Sequence, residues 1–123
     1  MEPLRAEAGT GRFHVAAVLE RCGGDLTARV CGGERPHVGA VALAQYEPER
    51  QSATVSVLTA YGHRDDAVAA RFAKALAAAG RCTAAVSVGV HVDNADGDDI
   101  AALQDACGAC LAALLRALEK EKA

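Results

Sequence analysis

The chain has 123 residues, half of them hydrophobic, with two Phe, two Tyr and no Trp, and a formal net charge of −3. This length suits one domain that buries roughly two-thirds of its unfolded surface, around a core of Val, Leu and Ala. No run of cations occurs before the last residues, so the clustered charge and stacking faces that nucleic acid needs are missing.

Residues 1–11 are polar with Gly9 and Gly11 and read as a loose, flexible entry, with no apolar segment of the kind an export signal carries. Phe13, Val15, Ala17 and Leu19 alternate with His14, Ala16, Val18 and Glu20, which predicts a strand. Gly23-Gly24-Asp25 predicts a turn, and Leu26 to Cys31 its hairpin partner. Gly32-Gly33-Glu34-Arg35-Pro36-His37 leads to a third strand, Val38 to Gln45. A turn at Glu47-Pro48-Glu49-Arg50 leads to a fourth, Ser52 to Ala60.

The period then changes. Val68, Phe72, Leu76 and Ala79 recur at helical spacing, with Asp65 and Asp66 complementing the helix dipole and Gly80 as a stop. Cys82 to Val92 is a fifth strand. Ile100, Leu103, Cys107, Leu111, Leu114 and Leu118 mark a last helix, capped by Asn94 or Asp96, with a flexible tail at 119–123. The order β-β-β-β-α-β-α predicts a single α+β domain over 1–123, with one mostly antiparallel sheet and two helices on one face. The longest apolar stretch, Cys110 to Leu118, is interrupted by Arg116 and falls short of the ~20 residues that span a bilayer. Five cysteines, an odd number, read as free thiols in a reducing, cytoplasmic compartment.

Candidate chemistry gathers at element ends. In the fifth strand Ala85, Ser87, Gly89, His91 and Asp93 fall opposite the valines. That face suits a floor for a flat molecule, with His91, Asp93 and Asn94 at its rim; an ordinary solvent face with Asx caps is the plainer reading. His37 and His63 also sit at strand ends, and Gly39 permits close approach of a backbone or ligand. His63 and Arg64, just before a helix, place a cation beside a helix N-terminus, an arrangement suited to phosphate. His37, His91 and Asp93 form an alternative metal set, without helix-spaced ligand geometry to support it. Cys107-Gly108-Ala109-Cys110 has redox spacing but lies mid-helix on the apolar stripe, where it reads as small core filler.

The segments Gly33-Glu34-Arg35-Pro36-His37-Val38-Gly39-Ala40-Val41-Ala42, Ser52 to Thr59, Gly62-His63-Arg64-Asp65-Asp66 and His91-Val92-Asp93-Asn94-Ala95 resemble the prenylated-flavin chaperone family, the small accessory proteins of gallate decarboxylase systems. The resemblance covers most of the chain, and its specific parts are Pro-His-x-Gly-Ala-Val and His-Val-Asp-Asn. It implies a non-catalytic accessory protein that holds prenylated flavin mononucleotide, or a related flavin phosphate such as FMN, and delivers it to a prenylated-flavin-dependent decarboxylase. It also implies a fold like that of small proteasome-assembly chaperones. His37, Gly39, His63, His91, Asp93 and Asn94 carry over as cofactor-binding positions, with Arg64 added by the phosphate argument. Two other readings remain: a protein-only assembly chaperone, and a small metal-dependent hydrolase or lyase. A homodimer is expected, because one sheet face has little bulky polar cover and its edges are open; its seam is expected near His91 and Asp93.

Overall fold

The computed structural model describes residues 2–60 and 65–122. The elements run β1 (Leu4–Ala8), a 3-10 turn (Gly11–Phe13), β2 (Val15–Cys22), β3 (Asp25–Gly33), β4 (Ala40–Glu47), β5 (Ser52–Thr59), α1 (Asp66–Gly80), β6 (Thr83–His91) and α2 (Gly97–Lys122). The predicted strands and helices are all present. The first difference is β1: part of the segment read as a loose entry pairs antiparallel with β2, Ala6 facing Ala17. Ala6 is buried beneath α2, which is why five residues with two charges hold as a strand. The tail read as flexible continues the helix to Lys122, whose ammonium donates to the Ala79 carbonyl.

The second difference is strand order. The sheet runs β1-β2-β3-β6-β4-β5. β6 enters between β3 and β4, parallel to β3 and antiparallel to β4, so the sheet is mixed through this one parallel pairing, and its strands do not follow one another in a single meander. The remaining pairings are antiparallel. Helix α1 is the crossover that returns the chain from the edge strand β5 to this central position, which a hairpin turn cannot do.

One face of the sheet holds the core. Ala6, Ala17, Val30, Val88 and Ala40 lie in register across five strands, and all are buried. Helix α1 covers β4 and β5, and α2 covers β1 and β2, so both helices do lie on one face. Beneath α1, Ala40, Ala42 and Ala44 meet a helix whose own buried residues are Ala69, Phe72, Ala73, Leu76 and Ala77; small residues on both sides allow close helix–sheet approach. Gly80 serves that packing: a Cβ there lies 3.0 Å from Leu26 Cδ1, and the left-handed residue ending α1 is Arg81, φ 50°. Helix α2 is long and apolar enough to cross a bilayer by length and composition. Its stripe of Leu103, Cys107, Cys110, Leu111, Leu114 and Leu118 is instead buried in the core.

Candidate functional site

The site is built where β6 outruns β4. The register between them begins at Ala40 and Val88, so peptide groups of β6 beyond Val88 lose their β4 partner. The Val88 carbonyl accepts from the Gly39 amide at 2.8 Å. The Val90 amide is taken by a side chain: Asp65 Oδ1 accepts from it at 3.1 Å. Asp65 is only 4 % exposed and makes no side-chain capping bond to α1. Its other oxygen, Oδ2, lies 3.1 Å from His37 Nε2, while His37 Nδ1 lies 2.8 Å from the Arg35 carbonyl. The His37 ring thus bridges the Arg35 carbonyl and the Asp65 carboxylate, with one ring nitrogen within hydrogen-bond reach of each.

Two glycines make room for this junction. A Cβ on Gly39 collides with Asp65 Oδ2 and crowds His37 Nε2 at 2.9 Å. A Cβ on Gly89 collides with the His37 carbonyl. The segment Glu34 to His37 thus crosses β6 at Gly89, pinned further by the Glu34 amide, which donates to the His91 carbonyl at 2.7 Å. This corrects the expected open floor. The space above Gly89 is filled by the chain's own backbone.

At the lip, His91 Nε2 is 3.0 Å from Asp93 Oδ1, and Arg35 Nη2 donates to Asp93 Oδ2 at 3.1 Å. Glu34 Oε1 accepts from the Asp93 amide at 3.0 Å, and Arg12 donates to the Asp93 carbonyl at 3.0 Å. The His91 hydrogen bond first, and the Arg35 guanidinium after it, hold the Asp93 carboxyl below its ordinary value. The His37 and His91 rings stand edge to face, centroids 6.4 Å apart.

The open volume lies on the other side of β6, between the two helices. A cleft of about 500 Å³ is walled by Val68 of α1, Val90 and Val92 of the β6 end, and Ile100 and Leu103 of α2. Asp65, His91, Asn94 and Gln104 supply polar groups to its lining, and Cys107 is also part of it. Asn94 takes a left-handed conformation, φ 54°, where Asn is among the residues tolerated. Asp96 and Asp99 cap α2 reciprocally, each carboxylate accepting from the other's amide at 2.8 and 3.1 Å.

The structure therefore brings together His37, Gly39, His91 and Asp93, and puts Asn94 in the cleft wall. His63 and Arg64 lie outside the described residues. Sequence reasoning missed Asp65, read as a dipole partner of its helix, and the lip residues Arg12, Glu34 and Arg35. Among the described residues no cluster of three or more His, Cys, Asp or Glu is arranged to hold a metal, which leaves the His37, His91 and Asp93 metal set without support. Cys107 and Cys110 are buried, and burial, followed by the Cys110 and Asp65 charges, pushes the Cys107 thiol up to about 12. Both observations fit core filler rather than a working redox pair.

No curated protein matches this chain. Among solved structures, a chain of a chaperone complex for yeast 20S proteasome assembly superposes with a TM-score of 0.61 at 11 % identity, covering 95 % of this chain and 96 % of its own; at that identity the likeness is one of fold. A family model, the prenylated flavin chaperone LpdD-like domain, matches residues 9–119. That span takes in every strand from β2 to β6, both cleft-forming helices up to Glu119 and the whole lip, and on it the chain belongs to the prenylated flavin chaperone LpdD-like family.

Proposed function

We propose that this chain is a non-catalytic accessory protein that holds prenylated flavin mononucleotide, or a related flavin phosphate, and hands it to a prenylated-flavin-dependent decarboxylase. The observation that carries this reading is the apolar cleft at the end of β6. Its volume of about 500 Å³ falls within the roughly 300–1,000 Å³ of small-molecule sites. Valine and leucine walls with a few polar groups suit a planar, prenyl-bearing ring system, so the residues fit the apolar part of the cofactor. Val68, Val90, Val92, Ile100 and Leu103 would hold the ring system. His91, Asn94 and Gln104 would orient it from the polar side.

When bound, the group supplies the decarboxylase's chemistry; this chain's residues bind and shield it. His63 and Arg64 stay in the proposal as phosphate partners on the strength of their place before α1. Arg12 and Arg35 stand at the lip already engaged by Glu34, Asp93 and Asp99, so a phosphate there competes with carboxylates. Such a lip favours moderate affinity, which a carrier needs in order to release its cargo. A reducing, cytoplasmic setting stays part of the proposal on the sequence reading of five cysteines, an odd number, as free thiols. Gel filtration of the protein with reduced prenylated flavin mononucleotide tests the reading. Co-elution with a shifted flavin spectrum supports it, and flavin eluting wholly apart from the protein at tens of micromolar overturns it.

A further inference from the structure

The two edges of the sheet are finished differently. β1 carries Arg5 and Glu7, with Ala6 between them buried under α2. β5, at the opposite edge, has no charge and no proline from Gln51 to Thr59. Charged side chains and proline are usual devices that keep an edge from pairing, and β5 has neither from Gln51 to Thr59; α1 lies over one face of β5 as α2 lies over one face of β1, so the two edges differ in charge.

The peptide groups that β5 turns outward follow from the ladder. The Tyr46 amide donates to the Cys82 carbonyl, so even-numbered β4 residues face β6 and odd-numbered ones face β5. The pairing of Val41 with Leu58 and Leu43 with Ser56 then leaves Ala53, Val55, Val57 and Thr59 with N–H and C=O directed out of the sheet. Beside them the helix-free face exposes Leu58 at 80 %, Leu43 at 52 % and Val41 at 42 %. Unpaired backbone and an apolar strip lie together.

We propose that β5 pairs antiparallel with β5 of a second copy of this chain, about a two-fold axis crossing the strand. The absence of charge is what selects this occupant. Around a two-fold axis each residue near the centre meets its own copy, so one charge there opposes an identical charge. A strand built for a different partner is free to carry a charge of either sign. Pairing makes one continuous sheet and brings the two Val41, Leu43 and Leu58 strips side by side. The contact lies at β5, not beside His91 and Asp93 where the sequence pattern had put the seam. The described lining of the cleft takes nothing from β5, so the proposal stands or falls apart from flavin binding.

Analytical ultracentrifugation of the full chain at micromolar concentration tests it, with twice 12.6 kDa expected. Val57→Pro deletes an outward N–H and leaves the β4 ladder intact; Ser56→Lys places like charges at the contact. Each is expected to shift the mass to that of a monomer with an unchanged far-ultraviolet circular dichroism spectrum, and the exposed Ser56→Lys decides the matter if the proline variant misfolds. A wild-type monomer overturns the proposal, as does a dimer that survives both substitutions. A chain that is monomeric alone and associates only with the decarboxylase also overturns it, in favour of strand addition by a different protein.

Discussion

Asp65 Oδ2 lies 3.1 Å from His37 Nε2, while Oδ1 of the same carboxylate takes the Val90 amide. One buried carboxylate thus ties the start of α1 to the loop before β4 and to the end of β6. Asp65→Ala strands the Val90 amide and removes the partner of His37 Nε2, a loss of about 1–3 kcal/mol. Asp65→Asn costs less, because its oxygen still serves Val90 and its amide donates to a ring that then accepts at Nε2. Urea unfolding of both variants checks the order; equal losses contradict it.

Gly89→Ala sets a Cβ against the His37 carbonyl, a backbone atom with no rotamer through which to escape. The expected cost is about 1–3 kcal/mol, with the Glu34–His37 segment displaced. Nitrogen–proton NMR spectra should show shifts concentrated in residues 34–39 and 88–94. A variant with wild-type stability and an unmoved loop shows that the crossing is not tight.

The Asp93 carboxyl is held below its ordinary value of 3.8, first by His91 and then by Arg35. A folded value below the unfolded one means that the contribution of the lip is complete above the ordinary carboxylate range. It is lost as pH falls through the lowered value. Carbon-detected NMR titration should place Asp93 below 3.8 in the wild type and move it upward in His91→Ala. An Asp93 that titrates at or above 3.8 in the wild type, or that ignores the loss of His91, contradicts the network.

Cys22 is exposed, whereas Cys107 and Cys110 are buried, with the Cys107 thiol pushed up to about 12. A thiol reagent at pH 8 should label Cys22 rapidly and leave Cys107 and Cys110 unmodified until denaturant is added. Labelling of Cys107 at the rate of Cys22 contradicts a closed core beneath the cleft.

Local pattern made the period-2 strands and the two helices legible, because Val86 and Val88 or Phe72 and Leu76 report their own burial. It did not report β1, whose core contribution is a few small residues under a helix almost a hundred positions away. Nor did it report that β6 lies between β3 and β4, since strand neighbours are chosen by the α1 crossover and not by local alternation. At the site, His37, Gly39, His91 and Asp93 stood out as polar or small residues at element ends. Asp65 was misread because an acid before a helix has a local explanation, while its partners Val90 and His37 lie 25 and 28 residues away. Gly89 looked like open floor because a missing side chain does not say whether a ligand or the chain's own backbone fills the space.

Binding of reduced prenylated flavin mononucleotide to the wild type and to Ile100→Trp tests the central claim most directly. Ile100 lines the cleft and is half exposed, so the larger ring fills the volume and leaves the core alone. The account predicts a saturable spectral shift for the wild type and at least a tenfold weaker one for the folded variant. Equal affinity in the two proteins, or no shift in either, contradicts a flavin site in this cleft.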